Sequence, residues 1–421
     1  MTGEALPAGY RVLDPVGIID LLGTLADVRA RLGRDPGAWR IREVGDGNLN
    51  LVFIVEGPDG SVCVKQALPY VRAAGPSWPM TPARAFFENA YFRAVEPHVG
   101  ALIPKVFHYV PELFCMVMER LSPHVILRHG LIESRRYERA AADVGDYVAR
   151  ACFFTSDFAQ PFEKRLPGVA LFAGNEALVR ITVDLVFTDP YVTSARNRHT
   201  TPQLDAAVGQ LRRDGSLKAA AARLGRKFLT ETQALIHGDL HSGSIMVTAT
   251  ETRVIDPEFA FYGPIGFDLG AFLANLLLNW YAQPGLGGSD GARIAQRRWL
   301  LEQAKVFWET FRSRWLALWA EHPGGDAYPS AMFGAPEDAP ALAAARARFL
   351  YELFADMIGF AACKMIRRIT GFAHVADFEG IEDPDRRARC EAGALALART
   401  MLTHPDRFRS IDDLLEAARS A

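Results

Sequence analysis

The hydrophobic and polar positions in the first part of the chain alternate with the period of β-strands. Residues 39–44, 51–56 and 61–66 are predicted strands, and a Gly-Pro-Asp-Gly turn joins the last two. Residues 105–110 and 114–119 form a further predicted hairpin. Before that hairpin, Thr81 and Pro82 are typical of a helix start, which predicts a helix running towards Pro97. With a short helix over residues 18–32, these elements predict a β-rich lobe over residues 1–121.

After residue 121 the apolar positions take the spacing of amphipathic helices. Helices are predicted over residues 137–154, 206–231, 266–282 and 297–320. The last of these carries four tryptophans, which we interpret as core or a subunit contact: Trp299, Trp308, Trp315 and Trp319. Residues 283–292, rich in glycine, are predicted as a surface loop that could act as a lid. The pattern predicts an α+β fold with a β-rich N-lobe and a mostly helical C-lobe over residues 122–421.

A polar loop in the second half of the chain carries the strongest chemical signal. Apolar runs at residues 234–236 and 245–247 flank the sequence HGDLHSGS, and a third run at 253–255 leads into DPE. This pattern predicts a loop that presents Asp239 and a strand end that presents Asp256 and Glu258. Three carboxylates with no cations between them repel one another unless a divalent metal lies among them. One acid that takes a proton and two that hold magnesium indicate phosphoryl transfer. Two ordinary acidic turns are the alternative.

The predicted β-rich lobe supplies residues suited to binding phosphates. The glycine- and asparagine-rich run at 45–50, GDGNLN, suits a loop folded over phosphates, although a hairpin turn would look much the same. Lys65 ends an apolar strand, and Glu88 on the following helix is its candidate partner. The alternatives are an edge-strand lysine facing water and a solvated glutamate.

Two more segments are candidates for binding or support. Arg367 and Arg368 are adjacent in an otherwise apolar helix, so at least one is expected to point into a polar cavity and hold hydroxyls or a phosphoryl group. A salt bridge with Asp356 is the alternative. Asp268, at a predicted helix start, is expected to bond the amides of the HGD loop.

Composition narrows the class of protein. The 421 residues are 49% hydrophobic, enough for sizeable cores, and the formal net charge of −2 gives no reason to expect nucleic acid or a basic membrane surface as partner. Five scattered cysteines without a CxxC pattern favour a reducing compartment. The most apolar segment, 269–282, is too short to span a membrane, and no signal peptide opens the chain. We therefore expect a cytoplasmic protein.

Together, these segments identify the chain as similar to the S-methyl-5-thioribose kinases. That family belongs to the aminoglycoside phosphotransferase and choline kinase group of the protein-kinase-like fold. The resemblance runs from about Gly45 to Leu402, and the segments that carry it most specifically are GDGNLN (45–50), KQALPY (65–70), LVFTDP (185–190), IDPEFAFYGPIG (255–266) and MIRR (365–368) leading to AHVAD (373–377).

The resemblance implies roles for individual residues. Those assigned to ATP are Gly47, Asn48, Asn50, Lys65, Glu88, Glu119, Arg120, Leu121, Asp256, Pro257 and Glu258. Within this set, Glu119 to Leu121 would bind adenine, and Asp256 with Glu258 would bind Mg²⁺. Asp239 would orient and deprotonate the anomeric hydroxyl of the sugar. Arg367 and Arg368 would hold the sugar and stabilise charge on the γ-phosphoryl group. The implied product is 5-methylthioribose 1-phosphate, an intermediate of methionine salvage, and the implied assembly is a homodimer.

Three other functions are considered. The same chemistry on another pentose, such as 5-deoxyribose, depends on the pocket for the C5 substituent. A nucleotide-binding pseudokinase scaffold is disfavoured because it has no need of Lys65, Asp239, Asp256 and Glu258 together. Aminoglycoside phosphorylation is disfavoured because a site for polycations should be acidic, whereas two arginines are expected at this one.

Overall fold

The computed structural model describes residues 6–45, 49–72 and 75–420. The chain forms two compact units, one of Met1–Pro123 with Ile255–Phe259 and one of His124–Val254 with Ala260–Ala421. The first contains a large β-sheet and the second is mainly helical, which confirms the predicted α+β class. Within the described ranges, no helix is both long and apolar enough to cross a membrane.

The first unit is built on a five-stranded antiparallel sheet. Its strands are β1 (Arg40–Glu43), β2 (Asn50–Gly57), β3 (Gly60–Ala67), β4 (Val106–Val110) and β5 (Cys115–Glu119), in the spatial order β1-β2-β3-β5-β4. Its helices are α1 (Pro15–Thr24), α2 (Ala26–Leu32) and α3 (Arg84–Val99). Both predicted hairpins are confirmed. The single helix predicted over 18–32 is wrong, because Leu25 is extended and divides it into α1 and α2.

Alternate residues of the sheet bury one face against the first two helices. Phe53 and Val55 of β2 and Val62 and Val64 of β3 belong to one buried cluster with apolar residues of α1 and α2. Gly57 lies against the α2 backbone, where a Cβ atom would be 1.9 Å from the carbonyl oxygen of Leu32. This packing holds β3 in place, and Lys65 lies near the end of that strand.

The second unit consists of helices around two small sheets. The helices are α4 (Leu127–Ile132), α5 (Ala140–Thr155), α6 (Phe162–Phe172), α7 (Glu176–Thr182), α8 (Asp205–Arg213), α9 (Gly215–Thr230), α10 (Ile265–Ala282), α11 (Asp290–Glu321), α12 (Ala339–Thr370), α13 (Ala376–Glu379), α14 (Pro384–Thr403) and α15 (Ile411–Ser420). The strands are β6 (Val125–Ile126), β7 (Ala234–Ile236), β8 (Ile245–Val247), β9 (Thr252–Val254) and β10 (Phe261–Gly263); β6, β8 and β9 form one sheet, β7 and β10 the other. The helix predicted over 206–231 is two helices, because the Asp214 carboxylate caps α9 by accepting from two of its amides.

Helix α10 is buried along its whole length and forms the centre of the second unit. The four tryptophans of α11 are also buried, as predicted for core residues. The prediction of a surface loop over 283–292 is wrong for its first half, because Gln283, Gly285 and Leu286 are buried. A Cβ atom on Gly285 would lie 2.4 Å from the Ile381 side chain, so this part is packed into the unit.

Gly270 of α10 sits where α12 comes closest, and we expect Gly270→Ala to destabilise the fold. A Cβ atom there would lie 2.7 Å from both the Ala361 amide nitrogen and the Met357 carbonyl oxygen. Overpacking of this kind costs about 1–3 kcal/mol of unfolding free energy, which urea denaturation would measure. Gly291→Ala is the matched control, because among the described residues no atom beyond its own stretch of helix lies within 4 Å of its Cβ position. Equal losses for the two variants would contradict the close packing.

Candidate active site

The loop after β7 is held by a carboxylate at the start of α10. Asp268 accepts from the His237 amide at 2.6 Å and from the Gly238 amide at 3.0 Å, and it is buried. Gly238 has a φ of 83°, which glycine adopts without strain. The predicted role of Asp268 in supporting the loop is confirmed. Asp239 is the next residue after Gly238, so the two hydrogen-bonded amides hold the backbone that leads to it.

We expect Asp268→Asn to reduce turnover by misplacing this loop. An asparagine side chain offers one acceptor oxygen where two amides need one each, so a buried N–H would lose its partner. Displacement of a catalytic group by about 1 Å can cost on the order of 100-fold in rate, and kcat should fall more than KM rises. Asp20→Asn, on the exposed side of α1, is the control and should change neither. Normal kcat for Asp268→Asn would show that the loop does not depend on this carboxylate.

Asp239 is surrounded by positive and proton-donating groups of the second unit. Its Oδ1 lies 2.9 Å from Lys364 Nζ, and its Oδ2 lies 3.3 Å from His241 Nε2. Burial alone would raise the pKa of the Asp239 carboxyl, but Lys364, His241 and Arg368 more than offset it and hold the pKa well below its usual range. The side chain keeps 23% of its exposure, so the ionised carboxylate can still accept from a ligand.

The ring of His241 has a defined orientation. Its Nδ1 accepts from the Gly243 amide at 2.9 Å, which places the proton of the neutral ring on Nε2, facing Asp239. Burial lowers the pKa of His241 to about 4, so the ring is neutral at physiological pH. His241 is therefore a hydrogen-bond donor that orients the Asp239 carboxylate, and a proton on Nδ1 would disrupt the loop.

The two adjacent arginines of α12 differ in how they are held. Arg368 is buried and donates from Nη1 to the Ala373 carbonyl at 2.9 Å. Nε and Nη1 of Arg367 are buried and have no hydrogen-bond partner within the described residues. Burial lowers the pKa of both guanidinium groups, and the negative charge of Asp239 opposes the shift. The alternative of a salt bridge to Asp356 is wrong, because that carboxylate lies 2.5 Å from Lys227.

Lys364 is a site residue that the sequence analysis missed. It lies three and four positions before Arg367 and Arg368, so all three share one face of α12, and this spacing is the signal that could have revealed it. A second group was also missed: Arg128 Nη2 donates to Asn275 at 3.0 Å, and its Nε lies 3.6 Å from Asp377. No local pattern indicates these residues, because their partners lie far away in the sequence.

In the first unit, Lys65 is paired as predicted. Its Nζ lies 2.8 Å from Glu88 Oε1 and also contacts Asp256 Oδ1. The Lys65 side chain is only 11% exposed and that of Glu88 only 2%. The alternatives of a lysine and a glutamate facing water are therefore wrong. An ion pair that joins a strand and a helix holds the ammonium group in one place.

Glu258 lies in a buried network of hydrogen bonds and ion pairs. Asn50 Nδ2 donates to Glu258 Oε2 at 3.0 Å, and Asn50 Oδ1 accepts from Arg84 Nη2 at 2.9 Å. Arg84 Nε also lies 3.2 Å from Glu258. The side chain of Asn50 therefore holds Glu258 in place, and the contact of Asn50 with nucleotide phosphates stays a prediction. Arg84 was not recognised from the sequence.

The expectation that the three predicted carboxylates have no cations between them is wrong. Asp239 pairs with Lys364, Asp256 with Lys65 and Glu258 with Arg84. A metal site is therefore supported only in the first unit, where three carboxylates face two cations.

Oxygen atoms of Glu88, Asp256 and Glu258 lie within 4.8 Å of one another. Burial raises the pKa of Glu88 to about 8 and also raises the pKa of Glu258, with further effects from Asp256. Burial is the main cause of these shifts and the negative charge of Asp256 adds to them, so a divalent cation would favour the ionised form of both groups. Carboxylate oxygens are the ligands that Mg²⁺ prefers, so the cluster fits this ion. Asp256, 43% exposed and at a φ of 68°, is the most accessible of the three.

The remaining residues assigned to nucleotide are placed as follows. Gly47 and Asn48 lie outside the described residues. Glu119 ends β5 and accepts from the Lys105 amide at 3.1 Å, while Arg120 contacts Glu56 and Leu121 follows. Pro257 connects Asp256 to Glu258. A role of residues 119–121 in adenine binding stays a prediction.

Comparisons with known proteins show which family the chain resembles in sequence. The sequence profile of the phosphotransferase enzyme family matches residues 40–307. The chain is 41% identical to a methylthioribose kinase of Escherichia coli, over 99% of each chain. It is 42% identical to methylthioribose kinase 1 of rice, Oryza sativa, over 98% of this chain and 96% of the other. Among solved structures, a choline/ethanolamine kinase family protein from Mesorhizobium loti is 14% identical with a TM-score of 0.43, over 96% of this chain and 98% of that chain.

Proposed function

Because the chain belongs to the methylthioribose kinases of the phosphotransferase enzyme family, we propose that it transfers the γ-phosphoryl group of ATP to the 1-hydroxyl of 5-methylthioribose. The product is 5-methylthioribose 1-phosphate, and the reaction serves methionine salvage. The observation that carries this proposal is the similarity to methylthioribose kinases along nearly the whole chain.

In the proposed reaction, Asp239 accepts the proton of the anomeric hydroxyl. Its low pKa keeps it ionised, so it binds the hydroxyl as a hydrogen-bond acceptor before the reaction begins. A carboxylate of low pKa is a weak base, so the proton moves late, as the hydroxyl oxygen bonds to phosphorus. This order suits a loose transition state, in which the attacking oxygen gains its acidity late.

The cations of α12 hold negative charge on the acceptor side. Lys364 fixes one oxygen of Asp239 and leaves the other directed by His241. The unpartnered Nε and Nη1 of Arg367 are donors suited to sugar or phosphoryl oxygens. Arg368, anchored on Ala373, adds positive charge close to Asp239. These groups stabilise charge that develops during transfer.

The first unit supplies the nucleotide side. Lys65, fixed by Glu88, binds α- and β-phosphate oxygens, and residues 119–121 bind adenine. Asp256 and Glu258 would hold Mg²⁺, which would neutralise phosphate charge. Lys65, which contacts Asp256 in this structure, would pair with phosphate oxygens when ATP is bound, and Asp256 would then be available to hold the metal. Asn50 and Arg84 keep Glu258 in place.

We further infer a homodimer located in the cytoplasm, with neither nucleic acid nor membrane as a partner. The scattered cysteines, all reduced, support the cytoplasmic location, and the small net charge supports the lack of a nucleic-acid or membrane partner. The homodimer rests on the resemblance to the methylthioribose kinases alone. A related sugar such as 5-deoxyribose is the alternative substrate. The scaffold alternative is disfavoured by the intact ion pairs of Lys65 and Asp239. Aminoglycosides are disfavoured because Lys364, Arg367 and Arg368 would repel polycations.

The test is an assay of ADP formation with 5-methylthioribose, 5-deoxyribose and ribose, each with ATP and magnesium. We expect kcat/KM for 5-methylthioribose to exceed that for 5-deoxyribose by about 10-fold or more, since a buried thiomethyl group contributes about 1–3 kcal/mol. Equal or better use of 5-deoxyribose would move the enzyme to that substrate. ATP binding with no turnover of any sugar would favour the scaffold.

A further inference from the structure

The second unit has a cavity of about 440 Å³ that contains none of the residues assigned to the kinase reaction. Helices α10, α11, α14 and α15 enclose it. The residues that define its chemistry are Trp280, Tyr281, Arg297, Arg386, Arg389 and Arg419. The proposed kinase reaction, in which Asp239 is the base, gives these residues no role.

The cavity has a strong excess of positive charge. Asp290 is the single carboxylate among the described residues that line it, against four guanidinium groups. Within the described ranges none of these arginines forms an ion pair, and the Nε atom of Arg297 is buried without a hydrogen-bond partner. Arg386 and Arg389 lie three residues apart on α14, so their side chains leave the same face. Asp383 interacts electrostatically with Arg386 and Arg389, but it does not line the cavity, so an anion in the cavity would meet more positive than negative charge.

One wall of the cavity is aromatic and fixed. The guanidinium of Arg297 lies 3.8 Å from the centroid of the Trp280 ring, which holds both groups in place. The Tyr281 hydroxyl donates to the Ala418 carbonyl at 3.3 Å. Its ring packs against Gly393, where a Cβ atom would lie 2.9 Å from the Tyr281 ring. Trp280 and Tyr281 are only 4% and 6% exposed, so they form a rigid apolar floor beside the arginines.

We propose that this cavity binds a small molecule that carries a phosphate group on a flat ring. A guanidinium group can donate two parallel hydrogen bonds to a phosphate group. A doubly charged phosphate also balances the local positive charge better than a carboxylate does. The apolar floor of Trp280 and Tyr281 would contact an apolar ring attached to that phosphate. The proposal is independent of the sugar that the kinase uses.

Phenyl phosphate is the probe, because it joins a dianion to a flat ring, and inorganic phosphate is the comparison without a ring. Calorimetric titration of the full chain should show phenyl phosphate binding about 10-fold or more tighter than inorganic phosphate, since ring burial adds contact with aromatic groups. The double variant R386Q/R389Q should bind phenyl phosphate at least about 10-fold more weakly, because charge-assisted hydrogen bonds are lost. Raised salt should weaken binding to the wild-type protein.

Two controls locate the binding. R312Q removes an exposed arginine of α11 outside the cavity and should leave binding unchanged. R367Q removes the unpartnered arginine near Asp239 and should also leave the cavity titration intact. Unchanged kinase activity in R386Q/R389Q would show that this variant is folded. Binding lost in R367Q but kept in R386Q/R389Q, or no binding to the wild-type protein at millimolar probe, would overturn the proposal.

Discussion

Asp239→Asn should lower kcat by about 10²–10⁴-fold, the usual contribution of a positioned general base. The substitution keeps the shape of the side chain but replaces one oxygen by an NH₂ group, which cannot accept the sugar proton. It also leaves Lys364 without the carboxylate that lies 2.9 Å from its ammonium group. Nucleotide binding should persist, because the residues assigned to ATP lie in the other unit of the chain.

The measurement is a steady-state assay of ADP formation together with a titration of ADP binding. Asp385→Asn is the control. Its exposed carboxylate accepts a hydrogen bond from Gln203, and neither residue belongs to the catalytic loop. Turnover of Asp239→Asn within a few-fold of wild type would rule out Asp239 as the base. Loss of ADP binding along with activity would show that the variant had unfolded instead.

Asp256→Asn should be the second most damaging change, with a loss of magnesium-dependent turnover of about 10²–10³-fold, comparable to the removal of one electrostatic contact in other active sites. Asn tolerates the left-handed backbone of this position, where φ is 68°, so the fold should survive. The substitution removes the negative charge of Asp256, which pairs with Lys65 and would bind the metal.

The magnesium dependence of activity and the rise in Tm with ADP and magnesium would measure this effect. In the wild-type protein, magnesium should add to the stabilisation by ADP, and in Asp256→Asn it should add little. Asp59→Asn, in the turn between β2 and β3, is the control in the same unit. An unchanged magnesium response in Asp256→Asn would contradict the proposed metal site.

The fold was predictable where local patterns decide it. The alternation around Phe53 and Val64 predicts the hairpin, and the polar loop between short apolar runs predicts where Asp239 lies. Helix breaks were missed, because they depend on one extended residue, Leu25, and one cap, Asp214. The buried half of segment 283–292 was missed because glycine is equally common in loops and at close packing.

The acidic residues of the site were predictable from the sequence, whereas its cationic residues were only partly predictable. Asp268 was assigned correctly because an acid at a helix start next to a glycine loop has few other roles. The Lys65–Glu88 pair followed from the order of strand and helix. Arg84 and Arg128 were missed because their partners are 174 and 147 residues away in sequence, which only the folded chain reveals.

The most direct test of the proposed reaction is the identity of its product. The purified protein would be incubated with ATP, magnesium and 5-methylthioribose, and the mixture followed by phosphorus NMR with detection of coupling to sugar protons. Transfer to the 1-hydroxyl predicts a new phosphate ester coupled to the anomeric proton, formed in proportion to ADP and absent with Asp239→Asn. A phosphate on another sugar carbon, or ADP with free phosphate only, would contradict the assignment.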